Sequence, residues 1–212
     1  VSVTLEQAHK VSEFVNAGLV SGLGQPVPGQ MCIEAAICLA MGEPHGDTPS
    51  CVGAQDRSLS LTLNDAKWSS EQARADGMRR LAIAQLGSKD LSKAQQMEWL
   101  RLVVEDVIRK IVPFALRAAA PLQNEPHRSA LKKAATQCEQ TPTPEAAARA
   151  AAYTAHAAAA DAAHAARATA RAAARATKDE PLRMLADIAV DAYAAVQAPG
   201  YQLLLQIEGG EA

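Results

Sequence analysis

Residues 31–52, "MCIEAAICLAMGEPHGDTPSCV", bring several side chains able to do chemistry into one short stretch. Glu34 stands alone in an apolar run, and Glu43, His45, Asp47 and Cys51 follow within a short loop. A carboxylate on an apolar helix is desolvated, which raises its pKa and suits it to general acid or base work. Cys51 as nucleophile, His45 as base and Asp47 as orienting group would make a thiol hydrolase. Those three share one loop, whereas a triad draws on separate elements. Cys38, His45 and Cys51 with a carboxylate could instead hold zinc, but the spacing Cys-x6-His-x5-Cys fits no common framework. The bland alternative gives each residue a structural task. Glu34 takes loop amides, Asp47 before Thr48-Pro49 starts a turn, and Cys51 is a small buried hydrophobe. Asn64 and Asp65 join two helices in that reading, and Asp65 completes the acid set in the catalytic one.

The elements that carry these residues read as helices throughout. Thr4 and Gln7 form a capping box ahead of Leu5, Ala8, Val11, Val15 and Leu19. "QPVPGQ" is a stiff connector, and Met31 to Met41 is apolar enough to be the buried helix. Gln55 to Asp65 is a short helix. Ser69 with Gln72 caps the next one, which Gly87 ends. Asp90 caps a helix over Leu91–Val112, with Glu98, Arg101, Glu105 and Arg109 as its polar stripe and Pro113 as its kink or end. Ser129 to Cys138 follows, then "EQTPTPE". The segment "PGYQLLLQIE" is the one fair strand candidate, with weak alternation and an ordered apolar tail as the equal alternative.

After the Thr-Pro pair, Thr143, Pro144 and Glu145 open an alanine-rich helix with no breaker before Pro181. It would be about 50 Å long. Arg149, Tyr153, His156, His164, Arg167, Arg171, Arg175 and Lys178 fall within an arc of about 100° on it. One face is then smooth alanine and the other basic. The basic face either keeps the helix solvated or meets an anionic partner. An alanine face of that length favours a partner helix, and an antiparallel copy in a homodimer would supply one.

The expected architecture is all-α, a multi-helix bundle with one long alanine-rich helix. The expected division is 1–140 as a helical bundle with the Pro/Gly-rich corner, and 141–212 as the long helix plus a C-terminal amphipathic helix over Leu182–Gln197, packed on the first part so that the two form one unit. The 212 residues suffice to bury a core without disulfide or metal. Apolar residues make up 49% and aromatics 3%, so the core must be aliphatic and small. A net charge of -2 argues against nucleic acid. The four cysteines match no CxxC pair, no signal-peptide pattern is present, and no apolar run could span a membrane, so a cytoplasmic protein with reduced thiols and no cofactor is expected.

The segments "GLGQPVPGQMCIEAAICLAMGEPHGDTPSCV", "LNDAKWSS" and "GMRRLAIAQLGS" resemble a family of uncharacterised bacterial and tailed-phage proteins that also end in alanine-rich helices. The shared pattern has the form E…GEP…D.P.C…ND, here Glu34, Gly42, Glu43, Pro44, Asp47, Pro49, Cys51, Asn64 and Asp65. Members vary at the position of His45, which argues against it as a base. The alanine-rich segment is also similar to the helical half of a class of immunity proteins from bacterial toxin systems. These resemblances imply a protein-binding role, against a toxin or a defence component, as an immunity or phage counter-defence protein. The alternative is a small hydrolase or metal-dependent enzyme using Glu34, His45, Asp47, Cys51 and Asp65. A nucleotide-binding sponge is a minor third reading, since no Walker or dinucleotide loop is present.

Overall fold

A computed structural model describes residues 3–160 and 179–210, with the backbone alone described at 153–160. The fold is all-α, as the periodicity predicts, and no strand occurs among the described residues. The helices are α1 (Leu5–Asn16), α2 (Ile33–Ala40), α3 (Ala54–Asp65), α4 (Glu71–Ala84), α5 (Lys93–Asp106), α6 (Val112–Ala119), α7 (His127–Gln140), α8 (Pro144–Ala160), α9 (Glu180–Ala195) and α10 (Pro199–Gly210). None of the described helices is long and apolar enough to cross a membrane.

Caps decide most boundaries. The Thr4–Gln7 box closes the start of α1. Ser70, rather than Ser69, caps α4 by accepting from the Ala73 amide. Ser92, rather than Asp90, starts α5, because its hydroxyl takes the Gln95 amide while Gln95 Oε1 returns to the Ser92 amide. The alanine-rich helix begins where Thr143 and Pro144 predict, with Thr143 Oγ1 taking the Ala146 amide. The segment weighed as a strand or an ordered tail is neither, but helix α10. Pro199 fits a first helical turn, and Leu204 and Ile207 are buried three residues apart, a helical spacing.

Pro113 does not end its helix. Between α5 and α6 the chain makes a π-turn, Val107–Ile111, closed by the Val112 amide donating to the Val107 carbonyl. Proline lacks an N–H and crowds the carbonyl four residues back, and a widened turn before it relieves both faults.

Contacts divide the chain into two compact units, Val1–Leu100 with Leu182–Ala212, and Arg101–Pro181. This division falls elsewhere than the Thr-Pro boundary at residue 141. The last two helices group with the first hundred residues because their buried faces belong to that core. Trp99 stacks on Tyr193 with ring centroids 5.2 Å apart. Gly200 sits so close to the end of α4 that a Cβ there would meet the Ile83, Ala84 and Leu86 carbonyls at 2.5–2.6 Å. In the second unit, Ile108, Leu116, Leu131 and Cys138 pack with Ala120, Ala134, Ala135, Ala146 and Ala150.

Candidate functional site

Helix α2 is the centre of the first unit, and Glu34 lies in its first turn with no solvent exposure. Cys32 caps the helix, its Sγ accepting from the Ala35 amide at 3.4 Å. The C-terminus closes in a Schellman motif. Gly42 adopts φ 74°, its amide donates to the Leu39 carbonyl, and the Glu43 amide donates to the Cys38 carbonyl at 2.8 Å. The left-handed conformation explains why glycine precedes Glu43-Pro44.

The loop beyond is fastened by its own polar groups. The Glu43 carboxylate takes both the amide and the hydroxyl of Ser50, tying off the turn. His45 Nε2 lies 3.2 Å from the Gly24 carbonyl, holding the loop to the 18–31 connector. Asp47 is half exposed; it takes the Thr48 hydroxyl, and Arg57 reaches its carbonyl at 3.2 Å. The loop then meets the end of α4: the Cys51 carbonyl takes the Lys89 amide at 3.3 Å, and the Gly53 amide donates to Ser88 Oγ at 2.9 Å.

His45, Asp47 and Cys51 make no hydrogen bond to one another. The nearest acceptor to His45 Nε2 is a backbone carbonyl, not a thiol or Asp47. Burial pushes the Cys51 thiol up, and that of Cys38 to about 12, so neither is a thiolate near neutral pH. Among the described residues no three His, Cys, Asp or Glu side chains group to hold a metal, so Cys38, His45 and Cys51 do not form the zinc set considered above. Asp65 serves another junction. It takes the Gly22 amide at 2.7 Å, Ser21 and Asn64; burial works against its charge, yet these donors hold its carboxyl below the ordinary range. Asn64 beside it is fully buried, accepting from the Ile33 amide that opens α2 and donating to the Val20 carbonyl. Arg74 finishes the junction by bonding the Leu19 and Asn64 carbonyls at 2.8 and 2.7 Å.

Glu34 is the exception, for its partners are other buried side chains. Ser60 Oγ donates to Oε1, while Oε2 has no hydrogen-bond partner. Desolvation raises its pKa to about 7, against the opposing pull of Ser60, Gln85 and Arg57. The Gln85 amide is near enough to favour the charged form, yet lies outside hydrogen-bond geometry, so neither of its polar atoms is partnered. A second buried carboxyl, Asp56, takes the Tyr193 hydroxyl, and burial raises it as well. Ser60, Gln85, Asp56, Ser88 and Tyr193 were not singled out from the sequence. The available signal was Gln85 in "LAIAQLGS", a polar residue in an apolar run, as Glu34 is in its own.

The chain matches no family model, no curated protein and no solved structure.

Of the basic stripe, Arg149 is exposed on α8. Tyr153 and His156 lie on the same helix where the backbone alone is described, and His164, Arg167, Arg171, Arg175 and Lys178 lie outside the described residues. Another surface of the first unit shows apolar side chains: Met97 and Leu100, at helical spacing on α5, are 64% and 36% exposed. A groove of 320 Å³ between α4 and α9 is lined by Asp76, Arg79, Arg80, Arg183 and Asp187. Two of its arginines are paired, Arg79 with Asp76 at 3.6 Å and Arg80 with Glu208 at 2.7 Å.

Proposed function

We propose that the protein acts by binding another protein, in an immunity or phage counter-defence role, and not by catalysis. The observation that carries this reading is the use made of the corner. Glu43, His45, Asp47, Asn64 and Asp65 are each bonded to neighbouring backbone or loop groups that they hold in place. Side chains so tied brace a surface rather than attack a substrate. The resemblance to phage proteins and to immunity proteins supports the same reading. Candidate contact residues are the basic stripe from Arg149 to Arg175 and the apolar pair on α5. Large apolar side chains left side by side mark interaction surfaces more often than scattered ones do.

The test is protection of cells against toxin or phage challenge. Charge reversal at Arg149, Arg167 and Arg171, or Leu100→Asp, is expected to abolish protection while the thermal midpoint stays within a few degrees of wild type. Unchanged protection in all of them would remove both surfaces from the proposal. The enzyme reading draws support from Glu34, whose pKa of about 7 suits an acid or base. Loss of activity in Glu34→Gln at unchanged stability would favour that reading instead.

A further inference from the structure

Among the described residues, Glu34 is a buried carboxyl whose hydrogen bonds do not close when its hydrogens are counted. Ser60 Oγ carries a single hydrogen, yet two acceptors lie within its reach: Glu34 Oε1 and the Arg57 carbonyl, the latter at 3.2 Å. With Glu34 ionised, one of those contacts sets oxygen against oxygen. Glu34 Oε2 then carries charge in a site closed to water with no donor aligned on it. Gln85, also fully buried, lies near enough to act on the Glu34 carboxyl, yet both of its polar atoms are unpartnered. Which end of a glutamine amide is nitrogen follows from its partners, so a half-turn about its last bond is the natural adjustment.

One added proton resolves most of this. We propose that Glu34 is a buried proton latch: the folded chain holds it as the neutral acid, Oε1–H donating to Ser60 Oγ, Ser60 donating to the Arg57 carbonyl, and Gln85 Nε2 donating to Glu34 Oε2. The chain then runs from α2 through α3 and back to the last turn of α4, and leaves only Gln85 Oε1 without a donor among these groups. Loss of the proton reverses the Ser60 hydroxyl, gives up the Arg57 contact and puts a charge at the seam of three helices.

The surroundings work in the same direction. Arg57, from α3, favours the charged form, and Asp56, from the same helix, opposes it. Cys32 and Cys38 on α2, Cys51 in the loop and Tyr193 on α9 are coupled to Glu34, and all four are themselves held neutral by burial. Desolvation outweighs them all, with the Glu34 pKa raised from 4.5 to about 7. Because the folded state binds this proton more tightly than the unfolded chain, the stability it confers is whole below about pH 4.5 and is lost as pH rises through about 7.

The experiment follows the Glu34 carboxyl carbon by NMR in uniformly ¹³C-labelled wild-type protein from pH 4 to 9, assigned through its own side-chain correlations. The latch predicts a shift characteristic of the acid at pH 5.5, moving to the carboxylate value only near pH 7. A carboxylate shift already at pH 5.5 overturns it. Alongside, urea unfolding of wild type and Glu34→Gln is compared at pH 5 and 8. The amide introduced by Glu34→Gln can donate to Ser60 as the acid does, but does not ionise over this range. The folded-to-unfolded ratio of wild type should fall by roughly a hundredfold more than that of the variant over this range. Equal pH dependence in both, or a variant much less stable than wild type at pH 5, would show that the brace works without the proton. If the variant does not fold, the wild-type carbon titration alone decides.

Discussion

The two units hold themselves together by different means. Around α2, polar side chains reach backbone groups far away in sequence, as Asn64 does to Ile33 and Val20, and Arg74 to Leu19. Close approach does the rest, with Gly200 against α4 and Trp99 against Tyr193. In the 101–181 unit, α6, α7 and α8 meet through alanines and a few aliphatic residues, and among the described residues there the ion pairs are exposed or local, such as Arg109 with Glu105. The first region depends on a small number of irreplaceable contacts. The second depends on helix propensity and on many weak contacts between small side chains. A single substitution should therefore do most harm in the first.

Gly200→Val is the sharpest way to break that contrast. The new side chain would drive into three carbonyls, and a loss of about 3 kcal/mol or more is expected by chemical denaturation. A loss near zero would mean that α10 is not seated by this contact. Leu131→Ala tests the other region, where about 3 kcal/mol is expected for a fully buried leucine. Both tryptophans, Trp68 and Trp99, belong to the first unit. This variant should thus lower the far-ultraviolet circular dichroism midpoint while tryptophan fluorescence reports an unchanged transition. Coincident shifts would show that the two regions unfold together. Tyr193→Phe removes the donor to buried Asp56 and should cost about 2 kcal/mol, read from the urea midpoint. The smallest effect is expected from Arg117→Ala. Its pairing with Glu139 is exposed, and under about 0.5 kcal/mol, screened further by salt, is all that such pairs supply.

The same contrast explains what could be seen in the sequence. Helices were legible wherever local chemistry sets them, as at Thr4, Thr143 and the apolar run of α2. The starts of α4 and α5 moved by one or two residues because neighbouring Ser and Asp side chains compete for the same cap. The C-terminal helix was not legible as one because Leu203, Leu204 and Leu205 are consecutive, which hides their period and leaves a strand or an ordered tail as the readings. In the corner, Glu34 and Asn64 were recognisable as anomalies on their own helices. The donor Ser60 that meets Glu34, and the Tyr193 that meets Asp56, were not, since nothing local relates residues 26 and 137 positions apart. Long-range polar seams of this kind are set by packing, and a single sequence carries no record of which polar residue meets which.

The π-turn before Pro113 settles a question of arithmetic in the second unit. Ile108 and Leu116 share its core but are eight residues apart, which in an unbroken α-helix would leave them about 80° out of line. The wide turn absorbs one residue, so that they act as if seven apart and fall within about 20° of each other. Removing one residue from 109–111 would straighten the helix and keep the alignment. Removing one from the regular stretch after it would keep the bulge and swing Leu116 out of the core. Two deletions a few positions apart, equal in length and nearly equal in composition, would thus have opposite fates.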